Sequence, residues 1–319
     1  LTSGGGQISM LLERWCGEVA QVTGEETGVD GKAEWRELCK RFEDLLLIAS
    51  WEYRVVLLVD ALDQFERTDI ARHLHWLPQT LPENVRWIST SVAGSESAAL
   101  SRRAGFAIRE LAPLGDDEAA ALVQKACARQ HRELHPDALA ILLAKKRQDG
   151  RLAAGYPLWL STAVEELNQL DEDDFRRARK TYEGSEEHKL QRLILETADS
   201  FPPDSEHLYG VLLERLEDAY GKIPVRTLLS LLAVSRSGWR EMDLKAMWRK
   251  CAGGVEWSDL TFAALRRALR MHLGERGAWG QWDFIHVQMR EAILARYIQS
   301  HQEREKLHRV CAKYLLGLG

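Results

Sequence analysis

The segment Arg54-Val55-Val56-Leu57-Leu58-Val59-Asp60 constrains this chain more than any other. A continuous run of β-branched and leucine residues is the mark of a strand buried on both faces of a sheet. Strands of that kind, separated by helices, imply a parallel wound sheet. Asp60 stands where the run ends, and α/β sheets collect their ligand groups at that end. A carboxylate there can hold Mg2+ through water, or can simply cap the next turn. A second acid, Asp63, follows three residues on and can face the same ligand.

Helical spacing frames this strand. Ile8, Leu11, Leu12, Trp15 and Val19 predict a helix over 7–21, and Trp35, Leu38, Phe42, Leu45 and Leu46 a second over 33–50. A helix around 70–76, a strand over 85–91 and a short third strand over 107–111 complete an α/β region at 1–111. Beyond Pro113 the chain reads as almost wholly helical, with acidic first-turn residues Asp116, Asp117 and Glu118 opening the first helix. Punctuation at 171–188 and at 201–204 marks off a helical region over 112–200 from a last one over 201–319. In the latter, helices ending with one over 258–273 precede a Gly-rich turn at 274–280 and Trp282-Asp283-Phe284-Ile285, a two-stranded wing behind three helices. The expected fold class is therefore α/β followed by all-α.

Composition narrows the classes. The chain has 319 residues, 45% hydrophobic and 29% charged, which suits two or three folded domains. No stretch nears the roughly 18 apolar residues of a membrane span. Leu1-Thr2-Ser3-Gly4-Gly5-Gly6 does not read as a signal peptide, and its abruptness leads to the expectation that the chain starts inside a larger protein. Five cysteines without a Cys-x-x-Cys pair fit reduced thiols and a cytoplasmic protein. His301, His308 and Cys311 share a helical face, where a metal site competes with ordinary packing. The net charge of -5 disfavours general binding to nucleic acid. The basic stretches Lys145-Lys146-Arg147 and 266–270 read as solvated helix faces.

Leu57-Leu58-Val59-Asp60-Ala61-Leu62-Asp63-Gln64 resembles the Walker-B segment of NACHT-type signal-transduction ATPases with numerous domains, the STAND proteins. The resemblance implies a partial P-loop NTPase sheet over 1–111, a small helical lid domain over 112–200 and a winged-helix domain over 201–319. It makes Asp60 the magnesium acid and Asp63 the second acid, while Gln64 replaces the usual Glu and puts water activation in question. Thr90 and Ser91 end the strand that in the family often carries a phosphate sensor, so a hydroxyl contact is implied; a plain core strand with a polar exit explains them equally. Gly155-Tyr156-Pro157 resembles the Gly-x-Pro segment whose Pro packs on adenine, although a helix start alone justifies Pro157. His286 falls at the histidine of a Met-His-Asp-like segment, where the imidazole touches the β-phosphate of ADP; Val287 replaces the Asp, and a structural His is the alternative.

No Gly-x-x-x-x-Gly-Lys-[Ser/Thr] occurs, and Gly4-Gly5-Gly6-Gln7 lacks the Lys, so the expectation is that a P-loop lies upstream. The resemblance then implies an ATP/ADP and Mg2+ switch, at most a slow ATPase. It would self-associate after sensing a trigger ligand through another region and would activate an effector, for instance in antiphage defence. Two other readings stay open: an AAA+-like DNA-handling ATPase with a DNA-binding winged helix, and a nucleotide-free protein-interaction scaffold.

Overall fold

The computed structural model describes residues 8–28, 34–65, 68–277 and 279–317, with the side chains of Gln64 and Asp69 outside that set. Among the described residues the fold is mostly helical, with fifteen α-helices, one parallel pair of strands and one antiparallel pair. The chain divides into two compact units, Leu1–Leu111 and Ala112–Gly319.

The first unit contains α1 (Ile8–Thr23), α2 (Trp35–Glu52), β1 (Val55–Val59), α3 (Asp69–Arg72), β2 (Val85–Ser89) and α4 (Ser95–Ser101). The apolar stripe of α1 buries Ile8, Leu12, Trp15, Cys16 and Ala20, and that of α2 buries Leu38, Phe42, Leu45, Leu46 and Ala49. Trp15 stacks on Phe42 at 5.3 Å and meets Trp76 and Trp87 at 6.1 and 6.3 Å, so one aromatic cluster fastens the helix pair to the sheet. β1 and β2 run parallel, in register from Val55 with Val85 to Val59 with Ser89. That register brings the two strand exits together.

Three sequence expectations fail here. The β1 run was expected to be buried on both faces, yet only Leu57 and Val59 turn inward. Val56, Leu58 and Ile88 are 52%, 71% and 54% exposed, because α1 and α2 pack on one side and no described element covers the other. The segment 107–111 forms no strand: none of the described residues pairs with it, and Ile108 and Leu111 are exposed. The helix expected over 70–76 stops at Arg72, where Leu74 enters the left-handed region at φ 53°. Leu74 and Trp76 are nonetheless fully buried, so the helical spacing reported burial and not helix.

The second unit contains α5 (Asp116–Ala128), α6 (Pro136–Ala144), α7 (Pro157–Asn168), α8 (Glu172–Thr181), α9 (Glu186–Ser200), α10 (Ser205–Tyr220) and α11 (Lys222–Ala233). It continues with α12 (Glu241–Cys251), α13 (Asp259–Ala268), β3 (Leu273–Arg276), β4 (Gln281–Phe284), α14 (Val287–Tyr297) and α15 (His301–Leu315). Several starts follow from capping side chains that accept otherwise orphaned amides: Asp171 for α8, Asp204 for α10, Ser258 for α13 and Ser300 for α15. The helix predicted over 258–273 ends at Ala268, and Leu273 already belongs to the β3–β4 hairpin. Two hydrophobic cores meet within α10. One gathers Val123, Leu142, Trp159, Leu160 and Leu208; the other begins at Tyr209 and includes Leu212, Leu228, Trp248, Phe262 and Ile293.

Candidate functional site

β1 delivers Asp60, and β2 delivers Thr90 beside it. The Thr90 hydroxyl accepts the Ala61 N–H at 2.8 Å and donates to Asp60 Oδ1 at 2.5 Å. Backbone bonds brace the same crossing: Thr90 N–H to the Val59 carbonyl at 3.1 Å, and Leu62 N–H to the Thr90 carbonyl at 2.9 Å. Asp63 Oδ1 accepts the Val92 N–H at 3.1 Å. Each carboxylate thus ties the loop after β1 to the loop after β2. A hydroxyl carries one proton, so while Thr90 binds Asp60 it has no donor left for a phosphate. Ala61, between the acids, sits at φ 56°, a left-handed conformation that favours small residues. The Ser91 hydroxyl donates to the Val92 carbonyl at 2.9 Å. Gln64 ends a single 3-10 turn, and its side chain lies outside the described residues. Asp60 itself is exposed, so a hydrated cation can reach it.

The other sequence-predicted residues fall in the second unit. Gly155 is buried, and its carbonyl accepts the Leu114 N–H at 2.9 Å. A Cβ there would lie 2.8 Å from Pro113 Cβ, so only glycine lets these two segments pass. Pro157 is the exposed first residue of α7, and the ring of Tyr156 before it is covered by the Arg147 guanidinium at 4.4 Å. His286 precedes α14 and is half-buried; burial pushes its imidazole below the usual 6.5 and favours the neutral form. Arg290 fixes the start of this helix. Its guanidinium donates to the carbonyls of Leu232, Ala233 and Ser235 at 3.1, 2.8 and 2.6 Å, and to the Asp283 carboxylate. No hydrogen bond or ion pair among the described residues joins Gly155 or Pro157 to His286.

Sequence reasoning missed an ion-paired seam between the two cores of this unit. Glu165 and Glu166 are adjacent on α7 and only 6% and 4% exposed. Glu165 pairs with Arg270 at 2.8 Å, and Glu166 takes both forks of Arg215 at 2.8 and 2.9 Å. His272 lies alongside, 2% exposed, its ring edge against Tyr209 at 5.3 Å. Neither of its ring nitrogens has a hydrogen-bond partner among the described residues. Burial, then the neighbouring His286 and Arg215, push its pKa down to about 4. The signal was legible: two acids stand side by side in a helix that also carries Trp159, Leu160, Ala163, Val164 and Leu167.

The basic stretches are solvated only in part: Lys146 and Arg267 are exposed, while their neighbours are held by specific partners. Besides Arg270, Arg266 lies over the Phe262 and Trp282 rings at 4.8 Å each. Lys145 donates to the carbonyls of Ala198, Asp199 and Phe201, closing the end of α9. Cys311 packs into the core, and burial pushes its thiol up to about 11. No three His, Cys, Asp or Glu side chains among the described residues form a metal-sized cluster.

No family model matches the chain, and no solved structure does. Among curated proteins, the chain is 25% identical over 303 residues to the human NACHT domain- and WD repeat-containing protein 1, covering 88% of this chain and 17% of that protein. It is 23% identical over 303 residues to the human NACHT and WD repeat domain-containing protein 2, covering 88% and 16%. A TPR repeat-containing protein of Dictyostelium discoideum is 27% identical over 260 residues, covering 80% and 14%. The chain thus spans about a sixth of the length of the curated relatives it matches. Likeness at this level supports a NACHT-related relationship. No helix among the described residues is long and apolar enough to cross a membrane.

Proposed function

We propose that this chain is part of a STAND-type signalling switch that responds to ATP and ADP. The supporting observation is the strand-end crossing: an exposed carboxylate, Asp60, at the exit of a parallel strand, braced by the exit of its neighbour. Hard oxygen donors of this kind fit Mg2+ held through water, with Asp60 as the acid that orients it. The bound ion would neutralise charge between the terminal phosphates. The phosphate clamp itself requires a P-loop, whose motif this sequence lacks, so the switch reading needs one supplied from outside these 319 residues. The bare face carrying Val56, Leu58 and Ile88 agrees with this, because parallel sheets are stable only when covered on both faces.

Pro157, exposed at the start of α7, offers an apolar ring to a base, with Gly155 letting the chain approach closely behind it. His286, neutral at neutral pH, can donate one hydrogen bond to a β-phosphate and latch the ADP state. Gln64 in place of an acid makes any hydrolysis slow. ATP then favours an open state that self-associates in the cytoplasm after a trigger binds elsewhere, and so activates an effector. Defence against phage is one setting for such a switch.

Light-scattering mass of the full-length protein tests this. His286→Ala is expected to assemble without a trigger, and Asp60→Ala to remain unassembled with ATP. If both variants behave as wild type, the switch reading fails and the scaffold reading takes its place.

A further inference from the structure

We infer that Thr90 is a positioning residue for Asp60 and not a contact for a phosphate; this rests on the switch reading above. The geometry leaves the hydroxyl little choice. Its oxygen lone pair receives the Ala61 N–H at 2.8 Å, which fixes where its proton can go. The hydroxyl oxygen lies 2.5 Å from Asp60 Oδ1, and because the carboxylate only accepts, the hydroxyl is the donor. The backbone of Thr90 is fixed as well, its N–H bound to the Val59 carbonyl and its carbonyl to the Leu62 N–H, so the side chain starts from a set position and leaves Asp60 only by giving up both hydroxyl bonds.

Two consequences follow. Asp60 is held in one orientation although it is exposed, where a free carboxylate would sample several rotamers. One carboxylate oxygen is engaged by Thr90, which leaves Oδ2 as the oxygen presented to a cation-bound water. Asp63 is held separately, its Oδ1 accepting the Val92 N–H at 3.1 Å, and takes no bond from the Thr90 hydroxyl. The loop between the acids passes through Ala61 in a left-handed conformation, and the same hydroxyl holds the Ala61 amide. A single side chain therefore sets both the acid and the turn that carries it.

The test uses the full-length protein and binding of Mn2+ in place of Mg2+, read by electron paramagnetic resonance in the presence of nucleotide, with no turnover required. Thr90→Val keeps the shape and removes the hydroxyl; the Mn2+ dissociation constant is expected to rise about tenfold, with nucleotide affinity in EDTA changed less than twofold. Thr90→Ser restores the hydroxyl and is expected to bind within twofold of wild type. Thr90→Cys, a weak donor, is expected between them, and decides the matter if the valine variant does not fold. Mn2+ binding by the valine or cysteine variant equal to the serine one, while Asp60→Ala loses it, overturns the positioning role alone. Loss of nucleotide affinity in EDTA for Thr90→Val, retained in Thr90→Ser, also overturns it, in favour of a direct phosphate contact. If Asp60→Ala binds Mn2+ as wild type does, the switch reading itself fails.

Discussion

Ala61 takes a φ of 56° without being glycine, at a turn that carries an acid on each side. Left-handed backbone costs an alanine about 1 kcal/mol and a β-branched residue more. Ala61→Val is therefore expected to lower the unfolding free energy by about 1–2 kcal/mol in a denaturant titration, while Ala61→Gly leaves it within about 0.5 kcal/mol. His272 makes a prediction of another kind. Its folded pKa of about 4 lies below the ordinary 6.5, so folding favours the neutral ring. The stability it contributes is complete above 6.5, falls as the pH drops from 6.5 toward 4, and levels off below that. The groups around it on the packed elements are Tyr209, His286 and Arg215, and the cation opposes protonation further. His272→Phe is expected to flatten this part of the stability–pH curve by about 3 kcal/mol. An unchanged slope would place the acid sensitivity elsewhere.

At the level of elements, the seam of α7 with α10 and with the turn after α13 is held by charge where the two cores beside it are held by apolar contact. Breaking a buried pair from one side costs about 3–5 kcal/mol, whereas replacing both partners by apolar groups is often neutral. Arg215→Ala is expected to destabilise the chain by about 3 kcal/mol, and Glu166→Met with Arg215→Met to recover most of it. A double-mutant cycle in chemical denaturation reads the coupling; a value near zero would show that the seam contributes only its packing. The elements differ in how far the sequence disclosed them. Helix α10 rests on local signals, Leu208, Leu212 and Leu216 at helical spacing behind the cap Asp204, and such signals lie within adjacent residues of the sequence. The partners of Arg270 and Lys145 were not legible, because each lies on a helix distant in sequence. The β1 run deceived for a related reason. Its residues carry the apolarity of a strand covered on both faces, and the described residues supply one cover. At the candidate site the acids Asp60 and Asp63 could be read off directly. Thr90 could be read only as a hydroxyl at a strand exit; its bond to Asp60 could not, since the register of β1 on β2 sets the two side by side.

For the whole molecule, the uncovered sheet face separates what this chain does alone from what it does in a longer protein. Surface substitutions away from specific features change stability by less than about 0.5 kcal/mol, while removing a buried leucine costs several times that. Leu58→Thr with Ile88→Thr is expected to be neutral in the isolated chain and to cost the full-length protein about 2 kcal/mol or more in denaturant unfolding. Equal effects in both would mean that nothing further covers this face. The relatives that match this chain are about six times longer than the part they share with it. The central claim remains that nucleotide is bound at the strand exits and holds the switch. The most direct measurement is the nucleotide content of the purified full-length protein, released by denaturation and identified by chromatography. About one ADP or ATP per chain is expected in the wild type, with Asp60→Ala markedly depleted. A folded wild type free of nucleotide, unable to take up either one with Mg2+, would contradict it.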